Sequence, residues 1–462
     1  MRHNRSNLAH ILLPALALLL CAWTSMAATT TNSVGWHQGK ERVDADVRDF
    51  GVYDLLQDVA MQSGWNVFVE PGLEYRASTK FKNLPQAEAL RKLLGDLNFS
   101  VVPGSNAQTR LYVFRTQQSN ATREVRGAGK KSAMKGKIAP RELTIRVKPG
   151  TDVEALARLL HAKIVGRIPE LNAYQLQFDD DATMKSARDL LASNPDVTSV
   201  EDNFLVDVPF TPETLSGMTA PSTTLKLDPP KADACKVVVG LVDTTLQPLG
   251  SQLEGFIKER FAVAGESSAD ISQPTHATAM ANALFQAMQS SGKSSSSVRV
   301  ISVDVFGQSG SANTFNVAAG MIAAANHGAT VINASLGGYG DSPLLRDAVQ
   351  QLSGKNIPVF AAVGNDGSAT PFFPAGYPQV ISVTATERGQ VAPYANVGVT
   401  PDVAAPGGVI FSYNGQVYGS RGTSVSSAAA TGVASGMADA NCSPWSQVIP
   451  AIEKGMAVPT GP

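Results

Sequence analysis

Lys236-Val237-Val238-Val239-Gly240-Leu241-Val242-Asp243 is the stretch on which the fold turns. The apolar run at 237–242 has no alternating polar face, so a strand formed here must be covered on both sides. Comparable runs follow at 298–305, 330–334, 359–363 and 380–383, with helical patterns at 315–326 and 344–352 between them. Doubly buried strands alternating with helices predict an α/β region, a largely parallel sheet with helices on both faces. In such sheets the working residues lie just beyond the carboxyl ends of the strands, and Asp243 ends the first.

Working outward, two further polar residues sit in settings that suit Asp243. His276 opens His-Ala-Thr-Ala-Met-Ala, a small-residue helix able to bring the ring against the sheet. Ser424 stands in Arg421-Gly422-Thr423-Ser424-Val425-Ser426-Ser427-Ala428-Ala429-Ala430-Thr431-Gly432, between a tight turn and a helix of small residues. A hydroxyl at the first turn of a buried helix lies near the positive end of the dipole, where developing negative charge is stabilised. The alternative is a Gly-Thr-Ser helix cap. A serine nucleophile needs a base and the base an orienting carboxylate, roles that His276 and Asp243 can fill. The other histidine of this region, His327, lies at a helix end before Gly328. Asn365 follows the buried run of "PVFAAVGNDG" at a turn, where its amide can donate to an oxyanion. Its alternative is an ordinary turn asparagine before Asp366-Gly367.

The remaining composition sets bounds. At 462 residues, 43% hydrophobic and 17% charged, the chain has material for several buried cores. A formal net charge of -1 gives no reason to expect nucleic acid as a partner. Arg2 and Arg5, an apolar run at 11–23 and Ser25-Met26-Ala27 fit a cleaved signal peptide over 1–27, which implies export to a periplasm, cell envelope or the exterior. Cys21 leaves with that signal, and Cys235 and Cys442 remain, either paired or as two buried thiols. No Cys/His cluster suggests a metal site.

Four segments lie between the signal-like start and the α/β region. Residues 49–114 read as a small mixed domain, with a helical face at 54–64 capped by Gly64, a strand at 65–69, a second helix from Pro85, and strands at 101–102 and 111–114. Residues 116–140 are polar and basic, with interspersed glycines, and predict a flexible linker. The order β-α-β-β-α-β over 141–207 predicts a ferredoxin-like sandwich. A Pro/Thr/Ser-rich connector at 208–234 should be extended and readily cut.

Two resemblances add to these readings. "VYDLLQDVAMQSGWNVFVEPGL" and "FKNLPQAEALRKLLGDLNFSV" resemble the short N-terminal domain of secretins and some TonB-dependent receptors, over 45–115. That resemblance implies a module docking to an envelope or secretion protein. In the second half, "VVVGLVDTT", "THATAMANAL", "VINASLGG", "FAAVGNDG", "PAGYPQVISVTA", "DVAAPGG" and "RGTSVSSAAATGVAS" occur in the order of the subtilisin-like serine proteases, over 235–458. The segment at 141–207, with "NPDVTSVEDNFLV", is similar to their inhibitory propeptide.

The resemblance implies a subtilisin-like serine endopeptidase made as a zymogen. Asp243 would orient, His276 would be base then acid, Ser424 would attack, and Asn365 with the Ser424 amide would form the oxyanion hole. It further implies that Ser335, Leu336 and Gly337 pair with the substrate backbone, and that Ala361, Ala362, Val363 and Gly364 line the pocket for the residue before the scissile bond. Polypeptide substrate and the chain's own propeptide are the implied partners, with maturation between Val208 and Asp233.

No cofactor is expected. The passage at 290–297 lacks carboxylates or asparagines suited to the family's common calcium loop, so that site is expected to be missing, while calcium elsewhere stays open. The chain departs from the family at Ala277, where glycine is usual, at Asp243-Thr244-Thr245, and at Ala428 and Ala429. These changes leave a second reading, a catalytically weak or inactive subtilisin-fold binding protein that recognises peptides or scaffolds an envelope or secretion complex.

Overall fold

The computed structural model describes residues 32–459 except 38–41, 71–72, 74, 103–108, 122, 126–133, 207–210, 229–234, 266–271, 292–294 and 309. The signal peptide expected at 1–27 lies outside the described residues. Among those described, no helix is long and apolar enough to cross a membrane. The chain divides into two units, residues 1–130 and 131–462.

In the first unit, β1 (Ser33–His37), β2 (Arg42–Gly51), α1 (Val52–Ser63), β3 (Asn66–Val69), β4 (Arg76–Pro85), α2 (Gln86–Leu94), β5 (Asn98–Val102), β6 (Arg110–Phe114) and β7 (Arg123–Val125) follow one another. They form two sheets, ordered β1-β2-β4 and β5-β6-β3-β7. Leu55, Leu56, Leu90, Leu93 and Leu94, spaced at helical intervals, bury the two helices in one core with the strand residues Val43, Val67 and Val113. Gly64 ends α1 in the left-handed conformation, φ 72°. The unit is larger than the domain read at 45–115, because β1, part of β2 and β7 lie beyond those limits. β7 falls inside the stretch read as a flexible linker at 116–140. A single buried residue, Val125, anchors it in a polar context.

The second unit opens with a module of β8 (Ile138–Val147), α3 (Val153–Leu159), β9 (Lys163–Ile168), β10 (Ala173–Gln177), α4 (Asp181–Ser193) and β11 (Val197–Val206). Its strand order, β11-β8-β10-β9, is that of a ferredoxin-like sandwich. Strand β8 begins at Ile138, and the Lys137 carbonyl accepts from Leu205 N–H at 2.7 Å, so the end of the expected linker is also ordered. Residues 126–133 lie outside the description.

The connector expected at 208–234 is extended but not free. Its β12 (Glu213–Thr214) and β13 (Lys226–Leu227) each pair with a strand of the α/β region, and Leu225 between them is buried in that region's core. The polar composition conceals these attachments because each rests on two paired residues and one leucine.

The α/β region comprises β14 (Val238–Asp243), β15 (Ile257–Ala262), α5 (His276–Ser290), β16 (Ser295–Ser296), β17 (Arg299–Asp304), β18 (Ala312–Asn313), α6 (Thr314–Asn326), β19 (Val331–Ala334), α7 (Pro343–Gly354), β20 (Val359–Ala362), β21 (Val380–Glu387), β22 (Gln390–Val391), β23 (Val403–Pro406), β24 (Gly408–Tyr413), β25 (Gln416–Arg421), α8 (Thr423–Asn441) and α9 (Trp445–Gly455). The main sheet runs β15-β17-β14-β19-β20-β21, all parallel, with β22 antiparallel at the edge and β23 parallel to β21.

One core on one face gathers α5, α8 and α9 residues, including Leu284, Phe285, Ala430 and Ile452. The other gathers α6 and α7, including Met321, Ile322, Leu345 and Val349. Small residues let α5 and α8 approach closely: a Cβ on Gly432 would lie 2.2 Å from the Leu284 carbonyl oxygen. Cys235 and Cys442 form a disulfide, with Cα atoms 4.7 Å apart, which tethers the entry to β14 to the end of α8.

Candidate active site

Asp243, fully buried at the carboxyl end of β14, faces the first residue of α5. His276 Nδ1 lies 2.8 and 3.0 Å from the two carboxylate oxygens. An ionised carboxylate only accepts, so the proton is on Nδ1 and Nε2 is left as the basic nitrogen. The helix is placed by a cap: Thr275 Oγ1 accepts from Thr278 N–H at 3.3 Å and donates to the Thr245 carbonyl at 2.6 Å.

The unusual neighbours of these two residues complete the same arrangement. Thr244 donates its N–H and hydroxyl to Asp243 Oδ1 at 2.7 and 3.2 Å, and its hydroxyl oxygen accepts from Ala277 N–H at 3.0 Å. Thr245 donates its hydroxyl to the buried Asp304. These threonines thus tie the β14 loop to α5 around the carboxylate.

Ser424 occupies the first turn of α8. Gly422 enters that helix with φ 140°, a conformation that favours glycine, and a Cβ there would stand 3.0 Å from Asn365 Nδ2. The Ser424 hydroxyl donates to the Ser335 carbonyl at 2.9 Å, and Ser335 returns its own hydroxyl to the Ser424 carbonyl at 2.7 Å. In this arrangement the Ser424 hydroxyl rests on the strand end rather than on His276. Catalytic hydrogen bonds often close only with substrate in place.

Asn365 follows Gly364, φ 97°, beyond the end of β20. Its Oδ1 accepts from both the N–H and the hydroxyl of Thr423, at 2.8 and 3.0 Å. The backbone N–H can only donate, so it fixes which end of the amide is oxygen and leaves Nδ2 as the outward donor. Of the first-turn amides of α8, Thr423 N–H goes to Asn365 Oδ1 and Val425 N–H to the Gly422 carbonyl at 3.1 Å, which leaves Ser424 N–H as the candidate second donor to an oxyanion.

Ser335, Leu336 and Gly337 continue from β19 beside Ala361, Ala362, Val363 and Gly364 from β20, strands paired in parallel at Ala334 and Ala361. His327 lies apart, exposed, with Nδ1 2.9 Å from Glu259. Among the described residues no group of three His, Cys, Asp or Glu side chains is placed to hold a metal.

Sequence reasoning missed Thr423, Thr244 and Asn333. Asn333 is fully buried in β19, donates to Ser335 Oγ at 2.9 Å and accepts from Ser427 and Thr431 of α8, each at 3.1 Å. Its signal was an amide inside the apolar run of "VINAS", a buried polar group that requires partners.

The preceding module packs against β18, Gly338 and the starts of α6 and α7. Leu205 and Val206 of β11 pair antiparallel with Asn313 and Ala312 of β18, and the Leu205 carbonyl oxygen lies 2.9 Å from a Cβ placed on Gly338. The buried Glu201 accepts from Ser342 Oγ and Leu344 N–H at 3.0 Å each, at the N-terminus of α7. Asn203 Oδ1 accepts from Thr314 Oγ1 and Phe315 N–H at 3.1 Å, at the N-terminus of α6. Both side chains satisfy amides that a helix start leaves without acceptors.

Residues 235–452 match the Subtilase family, and residues 126–203 match the Fervidolysin N-terminal prodomain. The chain is 26% identical over 314 residues to the thermophilic serine proteinase of Bacillus sp. (strain AK1), covering 65% of this chain and 78% of that protein. It is 36% identical over 155 residues to the M-protease of Shouchella clausii (strain KSM-K16), 33% of this chain and 40% of that protein. Against this second relative the chain spans less than half of the length. Among solved structures, fervidolysin from Fervidobacterium pennivorans is similar in fold, with TM-score 0.53, 18% identity, and coverage of 69% of this chain and 58% of that one.

Proposed function

We propose, from the match of residues 235–452 to the Subtilase family, that this chain is an exported serine endopeptidase made as a zymogen. The observation that carries the reading is the buried Asp243 carboxylate holding Nδ1 of His276 while Ser424 and Asn365 stand at the ends of neighbouring elements.

A substrate strand that takes the Ser335 carbonyl as acceptor displaces the Ser424 hydroxyl, which then turns to His276 Nε2. Ser424 Oγ attacks the scissile carbonyl and passes its proton to Nε2. The oxyanion is met by Asn365 Nδ2 and the Ser424 amide, and His276 returns the proton to the departing amine. Water, deprotonated by the same nitrogen, releases the acyl group and restores the serine. Asp243 stays ionised throughout and stabilises the imidazolium.

The docked module at 138–206 acts as the inhibitor, with β11 running along β18 toward the site. Export is supported by the signal-like start and by the Cys235–Cys442 disulfide, since such bonds persist in oxidising compartments. The first unit is read as a docking module for an envelope or secretion protein, on its order of helices and strands. Co-purification with and without residues 33–125 tests that assignment. The enzymatic reading is tested by comparing purified Ser424→Ala with the unaltered protein for self-processing and peptide hydrolysis. Equal rates would remove it.

A further inference from the structure

The pocket proposed for the residue before the scissile bond lies between the segment that follows β19 and the end of β20, and a third side chain stands between them. Phe372 is 6% exposed. A Cβ placed on Gly337 would lie 2.4 Å from Phe372 Cε1, and one placed on Gly364 would lie 3.1 Å from Phe372 Cγ. One edge of the ring thus abuts the first wall and its base abuts the second. Gly337 is what allows the ring to fit, since a Cβ there would overlap it, while at Gly364 the nearer neighbour is Asn396 Nδ2, 2.2 Å from a Cβ placed there.

The ring is held there. Gly338 and Phe373 exchange backbone hydrogen bonds at 2.9 and 2.8 Å, which fixes the chain immediately after Phe372 to the first wall. The ring of Tyr339 meets Phe372 edge-on, with centroids 5.1 Å apart and planes at 75°. Tyr339 is itself anchored, donating to Asp366 at 2.7 Å and accepting from Asn396 Nδ2 at 3.1 Å. Asn396 Oδ1 accepts the amides of Asp366 and Ser368 at 2.9 Å each. Withdrawing the ring would break a packed aromatic pair whose other member is tied into this network.

We propose that Phe372 sets the specificity of the enzyme: its ring fills the deep end of the pocket, so that the residue before the scissile bond is restricted to glycine, alanine or serine. An aromatic side chain needs about 150–250 Å² of contact surface, and the pocket already provides that to one ring. A second large side chain would have to displace Phe372, whereas a methyl or hydroxymethyl group can lie over its edge. This inference rests on the serine endopeptidase reading and adds the substrate class to it.

The test uses the full-length protein after self-processing, with peptide p-nitroanilides that differ only in having alanine, leucine or phenylalanine before the cleaved bond. In the unaltered enzyme kcat/KM for alanine should exceed that for phenylalanine by about 100-fold or more, the scale on which pockets discriminate size. In Phe372→Gly and Phe372→Ala the ratio should fall at least about tenfold, carried mainly by a lower KM for the large substrates. A ratio does not depend on the overall rate, and fluorophosphonate labelling of Ser424 identifies which variants keep a formed site. Equal hydrolysis of the alanine and phenylalanine substrates by the unaltered enzyme would overturn the assignment. So would an unchanged ratio in a variant that still labels. An unaltered protein that neither labels nor turns over any of the three would instead overturn the endopeptidase reading, and this inference with it.

Discussion

Thr423 donates both its backbone N–H and its hydroxyl to Asn365 Oδ1, at 2.8 and 3.0 Å, so the residue before the proposed nucleophile orients the proposed oxyanion donor. The same hydroxyl oxygen accepts from Gly364 N–H at 3.2 Å. The end of β20 and the start of the serine helix therefore meet at one side chain.

Asn365→Ala should lower kcat by about 10²–10³ with little change in KM, the cost known for such a donor in subtilisin itself. Thr423→Val keeps the amide contact and loses the hydroxyl, and should lower kcat by about threefold to tenfold. If Thr423 acts by positioning Asn365, its substitution should have almost no further effect in an Asn365→Ala background. Full additivity in that double-mutant cycle would show that Thr423 acts on something else.

Asp243→Asn should retain the fold and lower kcat by about 10⁴, because an amide in this position can donate to Nδ1 and leave Nε2 protonated. Steady-state kinetics beside a circular dichroism spectrum separate this from unfolding. A loss below tenfold would remove Asp243 from its role.

Burial holds the Glu201 carboxyl above its usual range, partly countered by hydrogen bonds from Leu344 N–H and Ser342. A carboxyl raised on docking binds its proton more tightly in the docked state. Its contribution to docking is complete below the ordinary glutamate range, about 4.3, and is lost as pH rises through the raised value. Glu201→Gln stays neutral, so inhibition by the cleaved prodomain in unaltered protein should weaken relative to the Gln variant as pH rises toward neutrality. Residual activity against pH in the two proteins measures this, and a constant ratio would contradict it.

Leu225 is buried in the α/β core, Leu215 N–H donates to the Val417 carbonyl at 2.8 Å, and Asp228 N–H donates to the Ser296 carbonyl at 2.9 Å. Losing a buried leucine costs about 2–5 kcal/mol. The mature enzyme should therefore keep the segment from Glu213 onward, and N-terminal sequencing should find a start at or before that residue. A start beyond Glu213 would contradict this.

How much of this was legible in the sequence follows from the length scale of each signal. The α/β region could be read because doubly buried strands such as β14 and β20 leave continuous apolar runs, and α1 and α2 because their leucines recur at helical spacing. Strand β15 was not read: at the sheet edge it is only partly buried, and Lys258, Glu259 and Arg260 interrupt its apolar pattern. Strands β7, β12 and β13 were missed because two or three residues carry too little pattern.

At the site, the sequence pointed to Asp243, His276, Asn365 and Ser424 through their local settings. It was silent on Thr244 bridging to Ala277 and on Phe372 standing between Gly337 and Gly364. Those are contacts across separate loops, with no periodicity to announce them.

Ser424 as a nucleophile activated by His276 is what the site's geometry stands or falls on. The most direct measurement is labelling of the purified protein with a fluorophosphonate, beside Ser424→Ala and His276→Ala, followed by mass spectrometry of the modified peptide. One adduct is expected on Ser424 in the unaltered protein, none in Ser424→Ala, and labelling slowed by at least about 10³ in His276→Ala. Folded, processed protein that takes no label at Ser424, or that labels equally without His276, would contradict it.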